Sequence, residues 1–147
     1  MQNEIEYPDD EVVDTEIGDL MNRDGDISNI EDLFDEKKYL ALALFTQDCK
    51  RCELIANYME RSAASRKALN NKKCSFKVVF NDNGSDNDLL ETVAENYPKS
   101  LAKISYVDAS GDIHHGKDTP MMVVIDERQN IVLKTRLILP IERFCTK

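Results

Sequence analysis

The stretch that decides the fold is YLALALFTQDCKRCELIANY, residues 39–58. It opens with seven consecutive apolar or aromatic residues, 39–45, a run too short to span a membrane but of the length of a central β-strand. After a polar step, Cys52, Ile55 and Met59 recur at helical spacing. The sequence therefore predicts a buried strand that leads directly into a helix.

Two cysteines, Cys49 and Cys52, lie in the first turn of that predicted helix. Residues three apart occupy neighbouring positions on a helix, so the two sulfurs are close enough to bond. The unpaired amide groups of a helix N-terminus favour a thiolate, and Lys50 and Arg51 add positive charge, so we expect a lowered pKa for Cys49, against which Asp48 acts. The motif predicts a dithiol site.

Helix geometry also predicts different roles for the two thiols, because Cys49 faces outward at the helix end and Cys52 lies under the first turn. Cys49 would be the nucleophile that forms a mixed disulfide with a substrate. Cys52 would be the resolving thiol, which breaks that bond and leaves an intramolecular disulfide.

The strand followed by Cys49-Lys50-Arg51-Cys52, the Thr119-Pro120 step into MMVVID, and the strand NIVLKTRL together resemble the thioredoxin-fold superfamily. The resemblance is greatest to TlpA/ResA-like thiol-disulfide oxidoreductases and to uncharacterised bacterial thioredoxin-like domains with a D-C-x-x-C motif and a YPK segment. It covers about residues 37–147. It implies an α/β thioredoxin-like fold, a central mixed β-sheet flanked by helices, and electron exchange with protein cysteines through the dithiol.

The same resemblance implies a cis peptide bond between Thr119 and Pro120 that faces the dithiol. Independently, a proline cannot donate to a sheet ladder, so Pro120 belongs at the start of a strand. The Thr119 backbone would then offer its N–H and C=O to an extended substrate. We therefore expect Lys50, Arg51, Thr119 and Pro120 to support substrate binding.

Two positions depart from the pattern of the resembling enzymes. Asp48 stands where those enzymes usually carry a tryptophan, and Ala43 stands where a buried carboxylate often relays a proton. A thioredoxin-fold binding module whose dithiol does not cycle is therefore the alternative interpretation.

The composition limits the other possibilities. A chain of 147 residues with 41% hydrophobic and 32% charged residues predicts one folded domain after its N-terminal extension, and a net charge of −9 argues against nucleic acid as a partner. We expect protein thiols or disulfides as substrates, no cofactor, no membrane span and a monomer. The first twenty residues lack the features of a secretory signal, which favours the cytoplasm, or the bacterial periplasm or envelope if an export segment has been removed.

Residues 1–36 carry fourteen of the 28 acidic side chains and a single basic one, Arg23, which predicts an acidic N-terminal extension. The remainder, 37–147, is the predicted thioredoxin-like domain. Within the extension, Asp24-Gly25-Asp26 favours a tight turn over a calcium loop, whose first ligand would have to be an apolar leucine. Ser28 and Glu31 should form a capping box for a helical turn.

Further elements follow from local pattern. The predicted set is the helix after the dithiol to about Leu69, a strand Ser75–Asn81, a helix Asp88–Tyr97, a short strand around Ile104–Val107, strands Met121–Asp126 and Asn130–Arg136, and a terminal helix with Pro140 as its first residue.

A zinc site would need two more ligands from Cys74, Cys145, His114 and His115, but no second CxxC or His-x3-His spacing exists, so we expect no metal. His114 and His115 are better interpreted as residues of an exposed polar loop. Cys74 and Cys145 are expected to be inert packing residues.

Overall fold

The computed structural model describes residues 20–22, 24–45, 49–69, 71–81, 95, 97–108 and 120–146. Its elements are, in chain order, β1 (Leu20–Met21), β2 (Ile27–Ser28), a 3-10 helix (Ile30–Phe34), β3 (Tyr39–Phe45), α1 (Lys50–Arg61), α2 (Ala63–Leu69), β4 (Cys74–Asn81), α3 (Lys99–Ala102), β5 (Ser105–Asp108), β6 (Met121–Ile125), β7 (Ile131–Thr135) and α4 (Ile138–Thr146).

The strands form one seven-stranded sheet in the order β2-β1-β5-β4-β3-β6-β7. β3 pairs in parallel with β4 and antiparallel with β6, while β4 pairs in parallel with β5. A parallel pair requires a crossover connection, which α1 and α2 provide between β3 and β4. The predicted mixed sheet flanked by helices is confirmed.

Strand β3 is the centre of the protein, because both of its faces are covered. Ala41, Ala43 and Phe45 face the cluster that contains the buried residues of α1 and α4. Leu40, Leu42 and Leu44 face a second cluster with the 3-10 helix. A strand buried on both faces reads as a continuous apolar run rather than an alternating one, which is what the sequence of β3 shows.

The helix after β3 is interrupted at Ser62, where the sequence predicts one helix to Leu69. Ser62 has an extended backbone, with φ −83° and ψ 127°, and its backbone N–H donates to Tyr58 at the end of α1. Its hydroxyl then accepts from the N–H of Ser65 at 3.2 Å, which caps the start of α2. Serine favours such caps because its side chain replaces missing helix partners, and this local bond ends one helix and begins the next.

The acidic N-terminal segment contributes its last part to the sheet. The predicted turn at Asp24-Gly25-Asp26 lies between β1 and β2, and Gly25 has the positive φ of 86° that favours glycine. β1 pairs with β5. Residues 1–19 lie outside the described residues, and the boundary at residue 36 stays a prediction.

The predicted capping box is displaced by one residue. Asn29, rather than Ser28, caps the 3-10 helix, and Asp32, rather than Glu31, completes the box. Asn29 Oδ1 accepts from the Asp32 N–H at 3.1 Å, and Asp32 Oδ2 accepts from the Asn29 N–H at 3.3 Å. Ser28 is unavailable as a cap because it pairs within the β1–β2 hairpin.

Element boundaries elsewhere differ from the predictions by one or two residues. β4 begins at Cys74 instead of the predicted Ser75. Pro140 is the third residue of α4, which begins at Ile138, and a proline is tolerated there because the first N–H groups of a helix lack intrahelical partners. The predicted helix over 88–97 lies almost wholly outside the described residues. Within the described parts of the chain, no helix is long and apolar enough to cross a membrane.

Candidate redox site

The site begins where α1 begins. Cys49 is the N-cap residue, with an extended backbone at φ −106° and ψ 101°. Its carbonyl accepts the first helical bond, from the Glu53 N–H at 3.2 Å, and its Sγ accepts from the Cys52 N–H at 3.0 Å. The sulfur therefore lies in the field of the free amides at the helix N-terminus, which stabilises negative charge.

Cys49 and Cys52 are joined in a disulfide, with their Cα atoms 5.2 Å apart. Cys52 is fully buried against the core, whereas Cys49 is half-buried. This asymmetry follows from the helix, because the N-cap lies at its open end and the third helical residue lies beneath its first turn. The structure thus brings the two predicted catalytic residues together and leaves Cys49 the more accessible.

Lys50 and Arg51 are both exposed at the first turn of α1. Neither forms an ion pair with a carboxylate among the described residues. Asp48, the expected opposing charge, lies outside the described residues. Glu53, next to Cys52 in sequence, is exposed.

Pro120 lies at the same edge of the sheet as the disulfide. β6 runs antiparallel to β3, and Met121 pairs with Leu44, so Pro120 immediately precedes a strand that begins where β3 ends. Pro120 is buried. Its partner in the predicted cis bond, Thr119, lies outside the described residues, so the geometry of that bond stays a prediction.

Three aromatic rings fill the core at this edge. Phe45 and Phe80, from β3 and β4, meet in a T-shaped contact with centroids 5.7 Å apart. Tyr97 packs against both, at 6.3 Å from Phe45 and 5.5 Å from Phe80. Burial and the nearby charge of Glu53 raise the pKa of Tyr97 to about 12, so the phenol stays protonated over the physiological range.

Ala43 is fully buried in β3, within the same cluster as Cys52. A methyl group there offers no proton acceptor. Ala43 therefore cannot relay a proton from this buried position.

Cys74 and Cys145, expected to be inert packing residues, are joined to each other in a second disulfide, with Cα atoms 5.6 Å apart. The bond connects the first residue of β4 to the last turn of α4, and the two cysteines are 0% and 2% exposed. All four cysteines of the chain are therefore paired. A separation of 71 residues hid this pairing from any local pattern.

A buried polar pair lies one helical turn before Cys145. Glu142, 3% exposed on α4, accepts a hydrogen bond at Oε2 from the hydroxyl of Ser65, itself fully buried on α2. The other oxygen, Oε1, has no hydrogen-bond partner among the described residues. No sequence motif predicts this pair, and only the apolar neighbours of Glu142 at helical spacing indicate that this acid is buried.

The described residues contain no cluster of three His, Cys, Asp or Glu side chains that could hold a metal ion. Cys74 and Cys145, two of the four candidate zinc ligands, are bonded to each other. His114 and His115 lie outside the described residues.

No family model and no curated protein sequence matches this chain. Solved structures do match. A thioredoxin-like protein from Bacteroides caccae is similar over 89% of this chain with a TM-score of 0.69 and 16% identity, although the match covers 49% of that protein.

A putative thiol-disulfide oxidoreductase from Bacteroides vulgatus matches with a TM-score of 0.58 and 20% identity, over 78% of this chain and 77% of its own. A thiol:disulfide interchange protein from Bacteroides sp. matches with a TM-score of 0.60 and 16% identity, over 88% of this chain and 86% of its own. At these identities the likeness concerns the fold. This protein therefore has a thioredoxin-like fold.

Proposed function

We propose that this protein is a thiol-disulfide oxidoreductase of the TlpA-like kind that exchanges electrons with protein cysteines through Cys49 and Cys52. The observation that carries the proposal is the disulfide at the N-terminus of α1, with one sulfur half-buried and the other fully buried. A purely structural cross-link needs neither an accessible sulfur nor a helix-terminal amide directed at it.

In the reducing direction, the Cys49 thiolate attacks a substrate disulfide, and the S–S bond of the substrate breaks as a Cys49–substrate bond forms. The leaving thiolate takes a proton from solvent. The Cys52 thiol gives its proton to solvent, its sulfur attacks the Cys49 sulfur of the mixed disulfide, and the second substrate sulfur leaves as a thiolate that takes a proton from solvent. Two electrons have then passed to the substrate, and the Cys49–Cys52 disulfide remains. The oxidising direction is the reverse.

Other residues of the edge would bind the substrate. Lys50 and Arg51 attract carboxylates, and the backbone at Thr119 and Pro120 pairs with an extended chain. Leu137 is 53% exposed and follows β7, whose Thr135 pairs with Met122 at this same edge. An apolar group at this edge suits a polypeptide substrate better than a small polar one.

The test is to equilibrate the protein with glutathione buffers and to measure its reduction of insulin disulfides. We expect Cys49–Cys52 to cycle, and we expect Cys52→Ser to accumulate mixed disulfides at Cys49, whereas Cys49→Ser should not. A dithiol that never cycles, or an equally clean trap from Cys49→Ser, would contradict the proposal.

The alternative is a binding module with a non-cycling dithiol. One observation favours it: Ala43 is fully buried where a proton-relaying carboxylate would lie. Introducing a carboxylate with Ala43→Asp tests this alternative. Under the oxidoreductase proposal, the variant should change the rate at which the wild type reduces disulfides. Under the alternative, the wild-type protein has no such activity.

A further inference from the structure

Helix α1 carries two large apolar side chains on its solvent side. Leu54 is 69% exposed and Tyr58 is 44% exposed. They are four residues apart and so adjacent on one helical face, opposite the buried face of Cys52, Ala56 and Met59. Isolated exposed apolar residues are ordinary. An adjacent pair on the helix that carries the reactive cysteine instead forms an apolar surface that extends along the helix away from that cysteine.

Cations border this pair. Helical spacing puts Lys50 and Arg51 beside Leu54 at the cysteine end, and Arg61 beside Tyr58 at the far end. We call these five residues, Lys50, Arg51, Leu54, Tyr58 and Arg61, the α1 stripe. All five are exposed, and the acidic Glu53 and Glu60 lie to one side of it.

The spacing along the stripe matches an extended polypeptide. A helix rises about 1.5 Å per residue, so Leu54 lies roughly 7 Å from Cys49 along the axis and Tyr58 about 6 Å further. Two residues of an extended chain span about 6.6 Å, and alternate side chains point the same way. A chain whose cysteine meets Cys49 would direct the side chains two and four positions away onto Leu54 and Tyr58.

We infer that the α1 stripe recognises the substrate polypeptide, selecting apolar side chains at the second and fourth positions from the reacting cysteine by contact, and an acidic chain by the longer-range attraction of its cations. This inference rests on the proposed function and names its substrate class. A second copy of this chain is the weaker occupant, because a two-fold contact through α1 would bring the cations of one stripe against those of the other.

Synthetic peptides test the inference, each linked through its cysteine to thionitrobenzoate, whose release is coloured. The matching peptide is Leu-Glu-Leu-Glu-Cys-Glu-Leu-Glu-Leu. The mismatched peptide, Glu-Leu-Glu-Leu-Cys-Leu-Glu-Leu-Glu, has the same composition and charge, but its leucines lie one and three residues from the cysteine. In the third peptide, lysines replace the glutamates of the matching one.

We expect the reduced protein to react with the matching peptide about tenfold faster than with the mismatched one. Leu54→Ser should reduce that difference to about threefold, since it deletes one of the two apolar contacts. Ile27→Ser is the matched control, because Ile27 is 60% exposed but lies on β2, four strands away from β3 in the sheet. The lysine peptide should react more slowly than the matching one at low salt, and the gap should close as salt rises.

The control substrate is the disulfide of two thionitrobenzoate molecules, which carries no peptide. If the protein reduces this compound normally but reacts equally fast with the matching and mismatched peptides, the inference is overturned and the proposed function stays intact. A change in oligomeric state on Leu54→Ser would also overturn the inference. If the dithiol proves inert, the inference can still be tested with peptides in which serine replaces the cysteine, by measuring their affinities for the oxidised protein. Tighter binding of the matching sequence supports the stripe, and equal binding refutes it.

Discussion

The two disulfides of this protein are the same bond in opposite surroundings. Cys49–Cys52 joins residues three positions apart at a helix N-terminus, and one of its cysteines is half-buried. Cys74–Cys145 closes a separation of 71 residues between a strand and a helix, and both of its cysteines are buried. A short, accessible loop favours exchange and a long, buried one favours stability, so location rather than chemistry separates the two bonds.

The two bonds also lie at opposite ends of the sheet. Cys74 pairs with Tyr39 at the start of β3, whereas Cys49 follows the end of β3. Six steps of about 3.3 Å separate the ends of β3, so the strand ends that precede and follow the two sites lie about 20 Å apart. Direct exchange between them is impossible in the folded protein.

The largest expected effect is on reduction rate. With a small dithiol reductant under native conditions, Cys49–Cys52 should open at least a thousandfold faster than Cys74–Cys145, because a buried bond requires the protein to open first. Alkylation followed by peptide mass analysis should label only Cys49 and Cys52, with Cys49 first, until denaturant is added. Early labelling of Cys74 or Cys145 would refute the contrast.

The next effect is on stability. Removing the long link with Cys74→Ala and Cys145→Ala should lower the free energy of unfolding by about 4 kcal/mol, against about 2 kcal/mol for Cys49→Ala with Cys52→Ala, because the closed loop is longer. Denaturant titration of the oxidised proteins measures both. A larger loss from the short loop would mean that the dithiol site, not the long link, holds the fold together.

A third effect concerns the surroundings of the buried bond. Ser65→Ala should cost about 1–3 kcal/mol, because it leaves the Glu142 carboxyl buried without its hydroxyl partner. Adding Glu142→Met should recover part of that loss, since a buried polar pair is often replaced by apolar residues at little cost. If the double variant is less stable than Ser65→Ala alone, Glu142 has further stabilising contacts.

A smaller effect is expected beside the dithiol at high pH. The folded pKa of Tyr97, about 12, exceeds its ordinary value of 10.0, so its contribution is fully present below pH 10 and is lost as pH rises towards 12. Tyr97→Phe should therefore lose less stability than the wild type between these pH values. Equal losses of stability in Tyr97→Phe and the wild type over this pH range would contradict the prediction.

The smallest effect is expected from the acidic N-terminal residues. Deleting residues 1–18 should leave the melting temperature nearly unchanged, because their charge density leaves few apolar groups to bury. A loss of several degrees in a thermal melt would mean that Ile5, Tyr7 or Val12 docks on the core.

Local sequence patterns were sufficient to predict many of the strands of this protein and its candidate redox site. The apolar run Tyr39–Phe45 predicted β3 with its observed bounds, and two cysteines three residues apart after it predicted the bond at the start of α1. These features depend on neighbours within one or two turns, so composition and spacing determine them. The strands after Pro120 were predictable for the same reason, to within one residue.

Tertiary structure alone decided the features in which distant residues meet. Cys74 and Cys145 pair because the crossover through α1 and α2 and the return of α4 bring β4 and the C-terminus together. Glu142 is buried because α4 packs beside α2, where Ser65 offers a hydroxyl. No spacing rule connects residues 71 or 77 positions apart, since their contact depends on how the whole sheet orders its strands.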